Sequence, residues 1–138
     1  MTIREKEQEF IDDFNELGDW FLQYEYLLES TSGMKPVTEE ERTGLSRVPG
    51  CQSGVWLVIT CVNKKVHIRA DSEALIIKGI LAIIVSLLDG RTPEELQQYQ
   101  MRFIEETALH EQLSTDRFYG ISSVVKAIKD HCWKQLKD

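Results

Sequence analysis

Val55-Trp56-Leu57-Val58-Ile59-Thr60-Cys61-Val62-Asn63-Lys64-Lys65-Val66-His67-Ile68-Arg69 is the stretch on which the fold turns. Val55, Leu57 and Ile59 share one strand parity, and Trp56, Val58 and Val62 share the other. A run apolar on both faces is the pattern of a strand covered on two sides, or on one side plus an edge. Asn63-Lys64-Lys65 supplies a polar turn. Val66-His67-Ile68-Arg69 then alternates as the antiparallel partner, with His67 directed away from the apolar face. Asp71 or Ser72 is expected to cap an apolar helix over residues 73–88, which ends at Asp89-Gly90. Its most apolar part, residues 74–88, would extend about 22 Å as a helix. That is short of the roughly 30 Å hydrocarbon core of a bilayer, and Lys78 lies near its start, so the segment reads as a buried core helix.

Helices flank this hairpin on both sides in the sequence. Ile3, Phe10, Ile11, Phe14 and Leu17 recur at helical spacing with acids between them, and Gly18 ends the run. Trp20, Phe21, Tyr24, Leu27 and Leu28 predict a second, short helix docked on the core and stopped at Ser30-Thr31-Ser32-Gly33. Residues 30–50 follow neither period and read as a long loop with a solvated acidic run, Glu39-Glu40-Glu41; loops of this length in compact domains are commonly functional. Thr92-Pro93-Glu94-Glu95 is a capping box with proline at the first helical position. Leu113-Ser114-Thr115 caps a last helix carrying Ile121, Val124, Val125, Ile128 and Cys132 at helical spacing. The expected architecture over residues 1–138 is one α+β domain, a small antiparallel sheet packed against several helices.

Composition narrows the function. Sixteen Lys and Arg stand against 23 Asp and Glu, a formal charge of −7, which argues against a nonspecific grip on nucleic-acid phosphates and favours a protein partner. The charged N-terminal residues Met1 to Glu7 resemble no secretory signal, so the expected compartment is the cytoplasm. Three cysteines, at 51, 61 and 132, form no disulfide framework and are read as reduced thiols. Together with His67, His110 and His131 they show no paired metal-ligand spacing, which argues against zinc.

Of the three thiols, Cys51 has the setting for chemistry. Val48-Pro49-Gly50-Cys51-Gln52-Ser53-Gly54 places it in a Pro/Gly turn just before the first strand, where a thiol can meet another molecule. Gly50 and Gly54 let the backbone around it adopt conformations closed to other residues. The plain alternative, a small inert hydrophobe at a loop edge, carries about equal weight on spacing alone. Cys61 has the parity of Val55, Leu57 and Ile59, and Cys132 lies on the last helix's apolar stripe, so both read as packing. Ten extended residues span about 33 Å, which separates Cys51 from Cys61 unless the chain folds back sharply. Arg117 falls in the first turn of the last helix, where the macrodipole disfavours a cation; it is either a contact for an anionic group or an exposed arginine tolerated at a helix start. Trp20, Phe21, Tyr24, Tyr26 and Trp56 read as packing.

These residues, taken together, resemble the SufE-like sulfur acceptors of iron–sulfur cluster assembly. The anchors are Gly50-Cys51-Gln52-Ser53 with Val55-Trp56, Ala70-Asp71-Ser72 leading through Ile77-Lys78-Gly79, Thr92-Pro93, and Leu113-Ser114 with Arg117 and Gly120. The segments 29–36, 115–116 and 118–119 depart from the family's usual residues. The resemblance implies that Cys51 accepts persulfide sulfur from a SufS- or CsdA-type cysteine desulfurase and passes it to an iron–sulfur scaffold such as SufBCD. Gly50, Gln52, Ser53 and Arg117 would contact the partner. Pyridoxal phosphate would belong to the desulfurase, and this chain would need no cofactor or metal and would have no turnover of its own. The family also implies an apolar cavity beneath the cysteine, for which Val55, Trp56 and the 73–88 helix are candidates. The competing expectations are an IscU-like cluster scaffold and a free-standing thiol enzyme.

Overall fold

The hairpin expected from residues 55–69 forms, and its second arm is longer than expected. In a computed structural model that describes residues 1–50 and 54–137, with side chains as far as His131, β1 (Val55–Val62) pairs antiparallel with β2 (Lys65–Ser72), from Val55 opposite Ser72 to Val62 opposite Lys65. Asn63 and Lys64 both take positive φ, 53° and 63°, the signature of the two-residue turn whose twist suits a hairpin. The turn is therefore one residue shorter than Asn63-Lys64-Lys65, because Lys65 is already paired.

At its far end β2 runs on through Asp71 and Ser72, so neither caps the following helix. Ladder pairing with Val55 and Trp56 extends the strand beyond the point at which local cap chemistry would end it. The helix, α3 (Leu75–Leu88), begins after Ala74, which makes no side-chain cap hydrogen bond. The Ser72 hydroxyl instead accepts from the Ala74 amide at 3.2 Å.

α3 is apolar almost all round and is buried from Ile77 to Leu88 on most of its surface, as such a helix must be. It joins one core with Val55, Leu57, Val66, Ile68 and Ala70 of the hairpin. α1 (Ile3–Leu17) brings Phe10 and Phe14 to that core and ends as expected at Gly18, φ 66°, while its start is set by a Thr2–Glu5 capping box. α2 (Trp20–Ser30) is followed by a 3-10 turn at Thr31–Gly33. α4 (Pro93–Gln98) has the expected Thr92–Glu95 capping box. α5 (Leu109–Gln112) has no sequence-based counterpart above. α6 (Thr115–Lys137) is capped by Ser114, whose hydroxyl accepts from the Arg117 amide at 3.2 Å.

α2 docks differently from its apolar stripe. Only Gln23 and Leu27 are buried, and Phe21 is 68% exposed. The contact is made where Gly79 lets α3 approach: a Cβ there would lie 2.9 Å from the Leu27 Cβ and 3.1 Å from its carbonyl oxygen.

Both edges of the two-stranded sheet are occupied. Along β1, Leu57 N donates to Ser46 O at 2.8 Å and Val48 N to Val55 O at 2.9 Å, with Arg47 bridged to Trp56. Along β2, Gly90 N donates to Val66 O, Val66 N to Arg91 O, and Ile68 N to the Asp89 carboxylate. Short segments that cover edges in this way remove the unpaired backbone that invites aggregation. Among the described residues no helix is long and apolar enough to cross a membrane.

Candidate functional site

Val48 and Val55 bracket the segment that holds Cys51. Their 2.9 Å hydrogen bond closes residues 49–54 into a short connection between the edge segment and β1, and both side chains are buried, at 4% and 1% exposure. Cys51, Gln52 and Ser53 lie outside the described residues. Gly50 has φ 85°, a conformation that favours glycine, and is exposed. Gly54 is needed for a different reason from the one expected. A Cβ there would lie 2.5 Å from the Trp56 ring, so the residue is kept small by the indole that packs against it and not by backbone freedom.

Strand alternation sends Trp56 to the outer face of the hairpin, away from Val55 and α3. Val55 joins the main core cluster, whereas Trp56, also largely buried, packs against Gly54 and Arg42. On the outer face Trp56 lies opposite Asp71, and Val58 opposite Arg69. The chain from residue 36 to residue 42 is fastened onto this face by two ion pairs of opposite polarity. Arg69 holds the Glu41 carboxylate through both terminal nitrogens, one of them at 2.6 Å, and also donates to the Pro36 carbonyl. Arg42 donates to Asp71 at 2.6 Å, and its guanidinium carbon sits 4.6 Å from the centre of the Trp56 ring.

Asp71, only 7% exposed, serves several donors. One oxygen takes Arg42, and the other takes the Ser72 amide at 2.8 Å and lies 3.5 Å from Lys78 Nζ. Burial of a carboxylate is tolerated when its oxygens are paired in this way. Arg42 Nε is buried with no hydrogen-bond partner among the described residues, so the arginine is held by its ion pair and its stack on the indole. The hydrogen bonds from Arg69, together with one from the Thr38 amide, hold the Glu41 carboxyl down at about 2 against its ordinary 4.5.

The remaining candidates are dispersed. Arg117 is the third residue of α6 and half-buried, and it takes part in none of the ion pairs among the described residues. Cys61 is a free thiol, partly buried against the core on the parity of Val55 and Leu57. The Cys132 side chain lies outside the described residues. His67 is exposed. Sequence reading missed the pairs Glu41–Arg69 and Arg42–Asp71 by treating residues 39–41 as solvated. The available signal was Arg69 and Asp71 at one strand parity, matched in opposite charge by Glu41-Arg42.

The family model for the SufE, Fe-S metabolism associated domain matches residues 8–132 of the 138. The chain belongs to the SufE family. That membership associates it with iron–sulfur metabolism. The solution structure of a hypothetical protein from Thermus thermophilus is similar over 96% of this chain and 97% of that one, with TM-score 0.79 and 21% identity. At that identity the likeness concerns the fold, and the α+β arrangement expected from the sequence is the one the SufE-family chain adopts. The outer-face pairs centred on Asp71 thus stand in a SufE domain, at residues adjoining its Pro/Gly cysteine segment.

Proposed function

We propose that this SufE-family chain is a sulfur acceptor: Cys51 takes persulfide sulfur from a SufS- or CsdA-type cysteine desulfurase in the cytoplasm and passes it to a scaffold such as SufBCD. The observation that supports the reading most is the closure of residues 49–54 by the Val48–Val55 hydrogen bond. It isolates a cysteine segment of six residues between two buried anchors in a family associated with iron–sulfur metabolism. The Cys51 thiolate attacks the outer sulfur of the desulfurase persulfide. A new sulfur–sulfur bond forms at Cys51, the old one breaks, and the desulfurase cysteine leaves as a thiolate. No oxidant is consumed. A free cysteine with a pKa near 8.5 is little ionised at neutral pH, so the docked partner assists the attack. Gly50, Gln52, Ser53 and Arg117 are the proposed partner contacts, and pyridoxal phosphate resides in the desulfurase.

The test is to incubate the chain with a cysteine desulfurase and cysteine without reductant, and to map the added sulfur by mass spectrometry. Sulfur is expected on Cys51, and Cys61→Ser and Cys132→Ser should leave its transfer largely intact. Modification of Cys61 or Cys132 with Cys51 bare would overturn the reading, and a stable visible-absorbing cluster formed on this chain alone in anaerobic reconstitution would favour a scaffold instead.

A further inference from the structure

We propose that the pocket between α1, the end of α2 and the second half of α3 is a docking site for one arginine side chain of a partner protein. It stands apart from the acceptor reading, because none of its residues belongs to the cysteine segment. The pocket has a volume of about 280 Å³. That is below the roughly 300–1,000 Å³ of sites that enclose a whole small molecule, and it suits a single side chain. Phe10, Ile83 and Leu87, all buried, supply an apolar lining, and the half-buried Tyr26 adds a second ring, 5.8 Å from that of Phe10. Glu9 and Asp13 complete the α1 side, one turn apart and both exposed. Neither carboxylate takes part in an ion pair or a side-chain hydrogen bond among the described residues.

The electrostatics around the pocket select a cation. Ser30, the last residue of α2, and Ser86 and Leu87, in the last turn of α3, all line it, so the negative ends of two helix dipoles adjoin the site. Neither helix has a basic residue in its last turn. Lys6, the one positive group among the lining residues, is already committed: its ammonium donates to the Ser86 carbonyl at 2.7 Å. One cation of this chain is thus held at the same helix end, and two carboxylates remain for a second. Burial, and then the Asp13 and Glu9 charges, raise the pKa of the Tyr26 hydroxyl, so both carboxylates act on the polar end of that ring. A guanidinium meets these conditions better than an ammonium. It is planar and weakly hydrated, and it can lie on an aromatic face while its several N–H groups reach separate acceptors. Its aliphatic stem covers the apolar lining. The formal charge of −7 draws a basic partner to the chain. Ser86 lies about 16 Å along α3 from Leu75, and the Gly54 carbonyl is bonded by the Glu73 amide just before that start. The pocket is therefore at the opposite end of α3 from Gly54.

The test needs no sulfur transfer, so its failure is distinct from failure of the acceptor reading. The full chain is titrated with the capped tripeptide acetyl-Gly-Arg-Gly-amide at about 0.1 M salt, where charges more than about 10 Å away are screened, and the backbone amides are followed by heteronuclear NMR. Saturable shifts are expected at Phe10, Asp13, Tyr26, Ile83 and Leu87. The same peptide with citrulline, the uncharged counterpart of arginine, should leave these amides unmoved, and the lysine peptide should bind more weakly. Glu9→Gln combined with Asp13→Asn should weaken binding of the arginine peptide about five-fold, the scale of two exposed ion pairs lost together. Glu39→Gln combined with Glu105→Gln removes the same net charge outside the pocket and should leave the affinity within about two-fold of the parent. Tyr26→Leu should also weaken binding with both carboxylates intact, and it carries the test if the first pair of substitutions does not fold. Shifts that rise without saturating, saturable shifts confined to other residues, equal binding of the citrulline or lysine peptide, or equal weakening by the two pairs of substitutions would each overturn the proposal.

Discussion

Glu7 shows how much a single residue can hide in a sequence of many acids. It sits on α1 among residues that face water, yet it is 1% exposed. It accepts hydrogen bonds from the Tyr99 hydroxyl at 2.7 Å and from the amides of Arg102 and Phe103 at 3.0 and 3.2 Å. Arg102 adds an ion pair at 3.5 Å. Burial, reinforced by this carboxylate, pushes the Tyr99 hydroxyl far above its usual pKa, so it remains a donor at any working pH. The clue was present: Ile3, Glu7, Phe10 or Ile11, and Phe14 recur at helical spacing, which puts an acid on the apolar stripe. What the stripe cannot disclose is the partner, 92 residues away. Glu7→Ala should lower stability by about 3 kcal/mol, because it strands a buried hydroxyl and a buried amide at roughly 1–3 kcal/mol each. Glu7→Gln, which keeps an acceptor, should cost less. Chemical denaturation checks both, and a loss below about 1 kcal/mol in Glu7→Ala would show that other groups satisfy these donors.

Among the elements, those written in local chemistry were legible and those fixed by pairing across the chain were not. The capping box at Thr92–Glu95 and the stop at Gly18 need only residues three or four apart, and the hairpin needs only alternation and a turn. The end of β2 and the start of α3 depend on register with Val55 and Trp56, which local chemistry alone does not carry, and so Asp71 and Ser72 look like helix caps. The loop over the outer face depends on Glu41–Arg69 and Arg42–Asp71, which are 28 and 29 residues apart. The cysteine segment stands out from its own sequence, whereas the cluster beside it does not. The Glu41–Arg69 pair makes this loop acid-sensitive. A carboxyl held at about 2 in the folded chain and near 4.5 in the unfolded one favours folding above 4.5, and that contribution is lost as the pH falls from about 4.5 toward about 2. The stability difference between the parent and Glu41→Gln should therefore be greatest near neutral pH and shrink across that window. Thermal melts at stepped pH read it, and a difference constant from pH 6 to pH 2 would show that the pair does not hold the loop.

At the scale of the molecule, helices cover one face of the hairpin, a charged loop covers the other, and both sheet edges are already paired. A partner therefore cannot add a strand along the described edges without displacing a segment of this chain, and recognition must work through side chains and loops. That separates docking from sulfur chemistry, because most of a side-chain surface survives the loss of one sulfur atom. If the desulfurase cycle slows while its persulfide waits to be discharged, an acceptor speeds turnover by removing that sulfur and not by being bound. The chain should accordingly raise the desulfurase's turnover with cysteine, whereas Cys51→Ser should bind with similar affinity and fail to raise it. Arg117→Ala should keep its melting temperature and stimulate less, if the arginine at the start of α6 is a partner contact. Because exchange depends on the thiolate fraction, stimulation should grow as the pH approaches the thiol's pKa. Steady-state rates and a binding titration on the same samples separate the two effects. Equal stimulation by Cys51→Ser and the parent would mean that docking alone activates the desulfurase, and the relay through Cys51 would have to be given up.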